Sequence, residues 1–177
     1  KALNGLTHHN IQIKKILAVD ESFHARYSAK AKTYHYHVWT DRFPSPFLKG
    51  YRYHHKGPLS IEVLQQAIPY FIGEKNFSSF SNSQNEGACK KNPIRNLYRL
   101  DFKEQEGGFR LELESNGFLY KMVRNIVGTL IDVSRGRLEL SDIEKILKAK
   151  DRKLAGKAAA AHGLFLHDVS YDLEKVT

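Results

Sequence analysis

The sequence predicts an α+β domain in which helices cover one face of an antiparallel sheet. From Lys32 onward, segments with the period-two pattern of strands and segments with helical periodicity follow in the order strand, helix, strand, strand, helix, strand. The 177 residues are 41% hydrophobic, which is enough to bury the core of one domain or of two small ones. No internal repeat or linker interrupts this order.

The charge balance of the chain is strongly basic. Lys and Arg number 28 against 19 Asp and Glu, a formal charge of +9 with a pI near 9.6. This excess favours a polyanionic partner, most often nucleic acid, although a basic proteome or simple solubility explains the charge alone about equally well. The single Cys89 excludes an intramolecular disulfide framework and a cysteine-based zinc site. Because no secretory signal or membrane-spanning apolar run occurs, we expect a cytoplasmic protein.

The N-terminal residues hold little that would build a core. A turn is predicted at Asn4-Gly5, and the apolar residues from Ile11 to Asp20 predict a strand with imperfect alternation. Residues 22–32 are basic and carry two aromatic residues. That mix fits a segment that contacts a nucleic-acid backbone or, equally, an ordinary solvated connection. Because the chain enters a patterned segment directly at Lys1, without Met, we expect an upstream part.

Residues 32–39 predict a strand with two distinct faces. Tyr34 and Tyr36 point one way, and His35 and His37 point the other. Tyrosines on one face of a sheet are usually core or interface residues, so the pattern alone favours a structural role for both. The histidines lack an accompanying ligand pattern, and we predict no metal site.

The middle of the chain is divided by prolines and polar residues. Prolines set a loop over residues 43–47, and residues 51–55 predict a short strand. Ser60 is a suitable N-cap for a helix that ends near Gly73 and is kinked by Pro69. The polar residues 81–91 predict a mobile loop.

Two alternating segments then predict a β-hairpin. Residues 94–103 form its first strand, in which Leu97 and Leu100 point to opposite faces, and residues 109–114 form the return strand. The Gly-containing turn between them lies at residues 105–108.

A longer apolar segment follows the hairpin. The chain turns at Asn116-Gly117 and then predicts a helix with one strongly apolar side, which ends around Arg135-Gly136. Arg124 lies on another face of this helix, and its guanidinium is costly to bury unless it meets a carboxylate or a phosphate. The segment alone favours an Arg124 at the edge, paired with a surface Asp or Glu. Residues 141–144 have the form of a capping box that starts a further helix, and residues 164–171 predict the last strand.

This order of elements matches a ferredoxin-like or RRM-like layout. The face of the sheet without helices would then be open to nucleic acid. The sequence lacks an RNP1-type aromatic signature, so a standard RNA-recognition motif is not predicted.

Motifs along the whole chain resemble those of one enzyme family. They lie, in the family's order, at residues 23–29, 32–36, 73–77, 116–128, 149–152 and 162–166. Each motif is weak alone. Together they specifically resemble the TruA family of tRNA pseudouridine synthases.

The resemblance implies half of the pseudouridine synthase fold and the conversion of uridine to pseudouridine in the tRNA anticodon stem-loop. Enzymes of this kind flip the target nucleotide into a pocket, detach the base at N1, rotate it and rejoin it through C5. In the family an Asp is the nucleophile and an Arg pairs with it, while a Tyr stacks on the uracil and can take the C5 proton. The Arg falls on Arg124 and the Tyr on Tyr34. No cofactor is implied, and the family forms homodimers.

The same reading predicts residues that contact the tRNA. Several lie in the basic stretch before and within the first predicted strand, and others lie beside the predicted catalytic helix. The expected substrate-binding residues are Tyr34, His24, Arg26, Lys30, Lys32, Phe118 and Lys121.

One motif of the family is absent. The nucleophile of the family lies in Gly-Arg-Thr-Asp-Ala-Gly, which does not occur in these 177 residues. We therefore expect residues 1–31 to be the remnant of an N-terminal domain, residues 32–177 to be the C-terminal domain, and this chain alone to be inactive. The family's Thr-Ala-Pro is replaced by Ala158-Ala159-Ala160, which we expect to loosen that loop.

Two other functions compete with this interpretation. One is a non-catalytic RNA-binding module of the same fold. The other, which the sequence favours less, is a different RNA-processing enzyme that uses His24 or His162. An upstream segment bearing the Asp motif would favour the synthase, and a start codon at or near Lys1 would favour the module.

Overall fold

The computed structural model describes residues 2–82 and 92–172, and it confirms the α+β fold with helices on one face of an open sheet. The strands of the described part are β1 (Ala29–Trp39), β2 (Tyr53–His54), β3 (Gly73–Asn76), β4 (Ile94–Gln105), β5 (Gly108–Ser115) and β6 (Leu164–Tyr171). Its α-helices are α1 (Ala2–Leu6), α2 (Ile61–Ala67), α3 (Met122–Ser134) and α4 (Leu140–Ala149). None of these helices is long and apolar enough to cross a membrane.

Strand β1 is the centre of the sheet. One of its edges pairs with β5, and the sheet continues through β4 to β3. The other edge pairs with β6 along most of its length and with the short β2 near Trp39. The pairings are antiparallel as predicted, except that β1 and β2 run parallel. Because β1 contacts three strands, its side chains are held from both edges.

The two predicted faces of β1 are confirmed. Tyr36 and Val38 are fully buried against the helices, where they join Leu111 of β5 and Ile126 and Leu130 of α3 in one core. Removing a side chain of this size from such a core costs about 2–5 kcal/mol. The core therefore fixes the position of α3 relative to β1.

Strand β4 does not alternate as predicted. Leu97 and Leu100 are both buried, because the pairing of β4 with β5 shifts register between Leu97 and Arg99. A bulge adds one residue to a strand and resets its alternation. Tyr98 at the shift is left 47% exposed. The prediction that Leu97 and Leu100 face opposite ways is therefore wrong.

The predicted strand from Ile11 to Asp20 is not formed. Asn4, which was predicted to lie in a turn, is instead part of helix α1. Its side-chain amide donates to the carbonyl of Ile13 at 3.0 Å and accepts from the amide of Ile13 at 2.7 Å. A side chain therefore satisfies the backbone groups that a neighbouring strand would have bonded. Ile16 remains 67% exposed.

The segment between β2 and β4 follows the prediction in part. The Ser60 side chain accepts a hydrogen bond from the amide of Val63 and caps α2. At Pro69 the chain changes from α-helix to a 3₁₀ turn, because proline cannot donate a helical hydrogen bond. Strand β3 was missed, since its four residues are largely polar and show no alternation. Residues 83–91 of the predicted mobile loop lie outside the described residues.

The ends of the two C-terminal helices are set by local chemistry. Helix α3 ends at Ser134, close to the predicted Arg135-Gly136. Helix α4 has a capping box formed by Glu139 and Asp142, which begins two residues before the predicted box at residues 141–144. A carboxylate can accept the N3 amide as a hydroxyl does, which the Ser/Thr pattern does not capture.

A segment from Lys157 to Ala160 packs directly on α3. A methyl group on Gly128 would overlap the backbone carbonyl of Lys157. The amide of Gly156 donates to the side chain of Thr129 at 2.9 Å. The absence of a side chain at Gly128 lets the two backbones approach this closely.

We expect Gly128→Ala to lower the free energy of unfolding by about 1–3 kcal/mol, because overpacking outweighs the better helix propensity of alanine. Urea unfolding followed by circular dichroism measures it. The matched control is Gly50→Ala, where an added methyl meets nothing within 4 Å. Equal midpoints for the two variants would contradict this close packing.

Candidate active site

The turn before α3 is held in place by Ser115 at the end of β5. Its hydroxyl donates to the carbonyl oxygens of Asn96 and Gly117, each at 2.8 Å. Leu119 is then buried, and Lys121 adopts a left-handed conformation with φ of 60° immediately before the helix. The sharp turn places Arg124 in the first turn of α3, beside the segment 157–160.

Arg124 is anchored through one nitrogen. Its Nε donates to the carbonyl of Ala159 at 2.6 Å, and the amide of Ala159 donates to the carbonyl of Arg124 at 2.9 Å. Within residues 2–82 and 92–172, its terminal nitrogens have no hydrogen-bond partner and no carboxylate forms a salt bridge with it. Those nitrogens are not buried. The predicted pairing with a surface Asp or Glu is therefore not found, and the guanidinium is oriented with its fork available.

A second arginine nearby is used quite differently. One terminal nitrogen of Arg152 donates to the carbonyl of Ala155 at 3.0 Å, and the other donates to the side chain of Asn125 at 2.8 Å. Burial lowers the pKa of Arg152. Each terminal nitrogen of Arg152 therefore makes a hydrogen bond within the protein, and together they hold the segment after α4 against α3.

Tyr34 and Tyr36 also differ in whether the side chain has a hydrogen-bond partner within the protein. The hydroxyl of Tyr36 donates to the carbonyl of Ala160 at 2.7 Å, and its ring is fully buried. The hydroxyl of Tyr34 has no partner among the described residues and is not buried. Its ring meets Phe118 edge to face, with centroids 5.1 Å apart. The structure thus gives Tyr36 a structural role and leaves Tyr34 available.

Tyr36 has Arg124 near its hydroxyl and Tyr34 near its place in the strand. Arg124 acts electrostatically on the Tyr36 hydroxyl, and Tyr34 is roughly 7 Å from Tyr36 along the same face of β1. Burial raises the pKa of Tyr34, so its phenol stays protonated at neutral pH. A neutral phenol can stack on a base. Its hydroxyl can also take part in proton transfer, in which it accepts one proton while its own proton leaves.

The predicted basic residues are spread over two places. Lys32 lies on the same face of β1 as Tyr34, and Lys121 lies next to α3 with its ammonium 5.2 Å from the ring of Tyr120. Lys30 pairs with Asp172 at 3.2 Å, and both side chains are largely exposed. Such a pair contributes little to stability and is easily exchanged for a phosphate.

His24 and Arg26 lie in the turn before β1. This turn is docked on the end of β6, where the hydroxyl of Tyr171 donates to the carbonyl of Ala25 at 2.7 Å. The Nδ1 atom of His24 accepts from the backbone amides of Arg26 and Tyr27. A histidine that orders its own turn in this way is a weak candidate for catalysis. Arg26 is exposed beside it.

The sequence interpretation missed the polar support of this site. Asn125 is fully buried in α3 and donates to the carbonyl of Phe80 at 2.6 Å. It also accepts from Arg152, so it joins three segments. The signal was an amide inside an apolar helix. The alanines at 159 and 160 do not loosen their loop, because its bonds to Arg124 and Tyr36 use backbone atoms only.

The opposite face of the sheet carries a charged network. Arg99 donates to Glu114 at 2.7 Å and to Glu112 at 3.1 Å, and Arg110 also donates to Glu112. Burial would raise the pKa of Glu112, but these hydrogen bonds outweigh it and hold that pKa below its usual value. Both arginines are therefore neutralised within the sheet. This open face offers less to a polyanion than the sequence suggested.

Histidines complete the open face. The rings of His35 and His167 stack with centroids 3.8 Å apart, and Nε2 of His35 lies 3.9 Å from Glu112. Burial, followed by repulsion from a charged His167, lowers the pKa of His35 to about 4. No group of three or more His, Cys, Asp or Glu side chains able to hold a metal ion occurs in the described part of the chain.

Comparisons with known proteins show which family the chain is similar to. A family model described as tRNA pseudouridine synthase matches residues 67–172. The chain is 45% identical over 173 residues to tRNA pseudouridine synthase A 1 of Protochlamydia amoebophila, covering 98% of this chain and 68% of that protein. It is 39% identical over 171 residues to tRNA pseudouridine synthase A of Bacillus subtilis, covering 97% of this chain and 68% of that protein.

We expect acid to destabilise the fold through His35. Its pKa is lower in the folded state than the ordinary value of 6.5, so the unfolded chain binds the proton first. The stability contributed by the neutral ring is complete above pH 6.5 and is lost as the pH falls toward 4. Between pH 7 and pH 5 this loss is about 1–2 kcal/mol.

Urea unfolding at both pH values checks this expectation, with His35→Gln as the variant. The open face also holds Glu112, Arg110, His37 and His167, and all four residues are present in both proteins. The variant should lose less stability than the parent on acidification. An identical loss in the two proteins would show that His35 is not the group responsible.

Proposed function

Because the chain belongs to the tRNA pseudouridine synthase family, we propose that it supplies Arg124 and Tyr34 to the active site of an enzyme that isomerises uridine to pseudouridine in the anticodon stem-loop of tRNA. One observation carries this proposal. Arg124 is fixed by Ala159 through Nε alone, and both of its terminal nitrogens remain without a hydrogen-bond partner in the described part of the chain. A pre-oriented guanidinium fork is the group best suited to bind and keep ionised a carboxylate nucleophile.

In this proposal Arg124 acts on the nucleophilic Asp of the family motif. Its positive charge lowers the pKa of that carboxyl and keeps it anionic for attack. The reciprocal bonds with Ala159 hold the guanidinium in place before substrate arrives, so little reorganisation is needed in the reaction.

Tyr34 stacks on the flipped uracil. The edge contact with Phe118 fixes its ring, and the unpartnered hydroxyl lies on the open side of the ring. The base leaves through N1, rotates against the phenol and rejoins through C5, which must then lose its proton. Tyr34 relays that proton: its hydroxyl accepts the proton from C5 while the hydroxyl's own proton leaves. The two transfers occur together because the raised pKa of Tyr34 disfavours a free phenolate.

The tRNA backbone is bound by the basic residues around this site. Lys32 and Lys121 lie nearest to Tyr34 and Arg124, and His24, Arg26 and Lys30 extend the positive surface before β1. The proposal includes a homodimer in the cytoplasm, for which the resemblance to the family is the support.

The nucleophile motif does not occur in these residues, so we expect this chain alone to bind tRNA without releasing tritium from C5-labelled uridine. Fusing it to an N-terminal segment that carries the family's Gly-Arg-Thr-Asp-Ala-Gly motif should restore release. In the fusion, Arg124→Lys keeps the charge but loses the fork, and we expect a loss of about 100-fold or more. Tritium release from labelled tRNA measures both.

The control for this experiment is Arg137→Lys, which changes a largely exposed arginine after the same helix. It should leave release within about twofold of the parent fusion. Turnover by the chain alone would show that the nucleophile lies elsewhere. A folded fusion that binds tRNA but stays inactive would contradict the proposed function.

We expect Arg26→Ala to weaken tRNA binding and to reduce the slope of log Kd against log salt by about 0.9, the value for one lost phosphate contact. Fluorescence anisotropy over a salt series gives the slope. Lys148→Ala on α4 is the matched control, because this lysine is exposed and pairs with Glu144. An unchanged slope for Arg26→Ala would argue against a phosphate contact.

A further inference from the structure

A groove of about 290 Å³ lies beside the end of β1, apart from Tyr34 and Arg124. Its walls are formed by Trp39, Pro44, Leu48, Tyr53 and His162, and Lys49 and Arg52 stand at its rim. We propose that this groove binds one unpaired nucleotide of the substrate RNA, with the base against the aromatic wall and the phosphate on Lys49 and Arg52. This inference rests on the proposed function, because it assigns a second contact to the same tRNA.

The lining of the groove suits a base rather than a helix or a duplex. Its volume is at the lower end for ligand pockets, so it holds a single planar ring system. The surface of the groove is mainly apolar. Every nucleobase has a π-face that can stack on an aromatic side chain, and such stacking contributes about 1–3 kcal/mol per base.

The surface around the groove combines aromatic and basic residues. Phe43 is 75% exposed, Phe47 is 89% exposed and Tyr51 is 61% exposed, all within one short segment. Large apolar side chains clustered on a surface mark a contact site more often than an inert one. The segment therefore offers further stacking positions next to the groove.

The charges of this segment fit a phosphate backbone. From Thr40 to Lys56, with both ends included, the chain carries four Arg and Lys residues and a single acid, Asp41. Arg52 is fixed, because it lies over the Trp39 ring at 5.3 Å and donates to the carbonyl of Glu106 at 2.7 Å. Lys49 is exposed and has no ion-pair partner in the described part of the chain. Arg52 is thus held in one orientation, whereas the side chain of Lys49 can move to meet a phosphate.

The groove is connected to the candidate active site through Tyr53. The ring centroids of Tyr53 and Tyr36 are 6.5 Å apart. Tyr36 in turn follows Tyr34 by two residues in β1. Tyr53 also lines a second cavity of about 370 Å³ with Arg135, Arg137 and Lys157. RNA that leaves the active site along this side would meet positive charge before it reaches the groove.

A second copy of the chain is a less suitable occupant. In a two-fold dimer the same patch would face itself, so Lys49 and Arg52 would meet their own equivalents. Like charges brought together in this way oppose association. The charge of the rim therefore favours RNA.

The groove contains the only tryptophan of the chain, Trp39, so its fluorescence reports directly on occupancy. We expect a single-stranded oligouridylate to quench this fluorescence, and an abasic ribose-phosphate oligomer of equal length to quench it much less. Anisotropy of the labelled oligouridylate gives the affinity. Lys49→Gln should weaken it about fivefold at about 0.1 M salt, the effect of one lost phosphate contact.

The matched control is Lys56→Gln, an exposed lysine of the same segment that does not line the groove, and it should change the affinity less than twofold. Binding without quenching, or equal losses for both lysine variants, would overturn the groove as a base site while leaving tRNA binding intact. A protein that binds neither oligouridylate nor tRNA would overturn the proposed function as well. Quenching that depends on protein concentration without RNA, with a dimer in sedimentation, would assign the groove to a second copy.

Discussion

The reciprocal hydrogen bonds between Arg124 and Ala159 are the interaction on which the site depends. They join the first turn of α3 to the segment 157–160, and Gly128 lets that segment lie directly on the helix. Since the bonds use Nε and backbone atoms, the guanidinium is oriented while its terminal nitrogens remain available. The core between β1 and α3 then sets the distance from Arg124 to the tyrosines.

The two faces of the sheet differ in how their charges are used. On the open face, Arg99 and Arg110 are neutralised by neighbouring carboxylates. On the helix side, the terminal nitrogens of Arg124 and the Tyr34 hydroxyl have no hydrogen-bond partner in the described part of the chain. A charged side chain that is paired with its neighbours within the protein stabilises the fold. A side chain that is held in place but keeps unpaired hydrogen-bonding atoms is suited to bind a ligand. This contrast, rather than net charge, is what supports the proposed site on the helix side.

Much of the fold could be predicted from sequence because period-two and helical patterns record burial. The hairpin, α3 and β6 followed from such patterns, and the two faces of β1 did as well. The predictions that proved wrong concerned features that depend on single contacts. The bulge at Tyr98 reset an alternation, the amide of Asn4 replaced a strand partner, and Glu139 capped a helix in place of a hydroxyl. The resemblance to the family named Tyr34 and Arg124, whereas the sequence pattern alone favoured structural roles for both. The hydrogen bonds of Tyr36 and Arg152 show which tyrosine and which arginine are occupied within the protein.

We propose that RNA is bound around Arg124 and not by Arg99 and Arg110, the arginines of the charged network on the open face. Nitrogen-detected NMR of the arginine side chains during titration with tRNA tests this claim most directly. We predict that the signals of Arg124 shift while those of Arg99 and Arg110 remain in place. Shifts confined to Arg99 and Arg110, with Arg124 unchanged, would contradict the account.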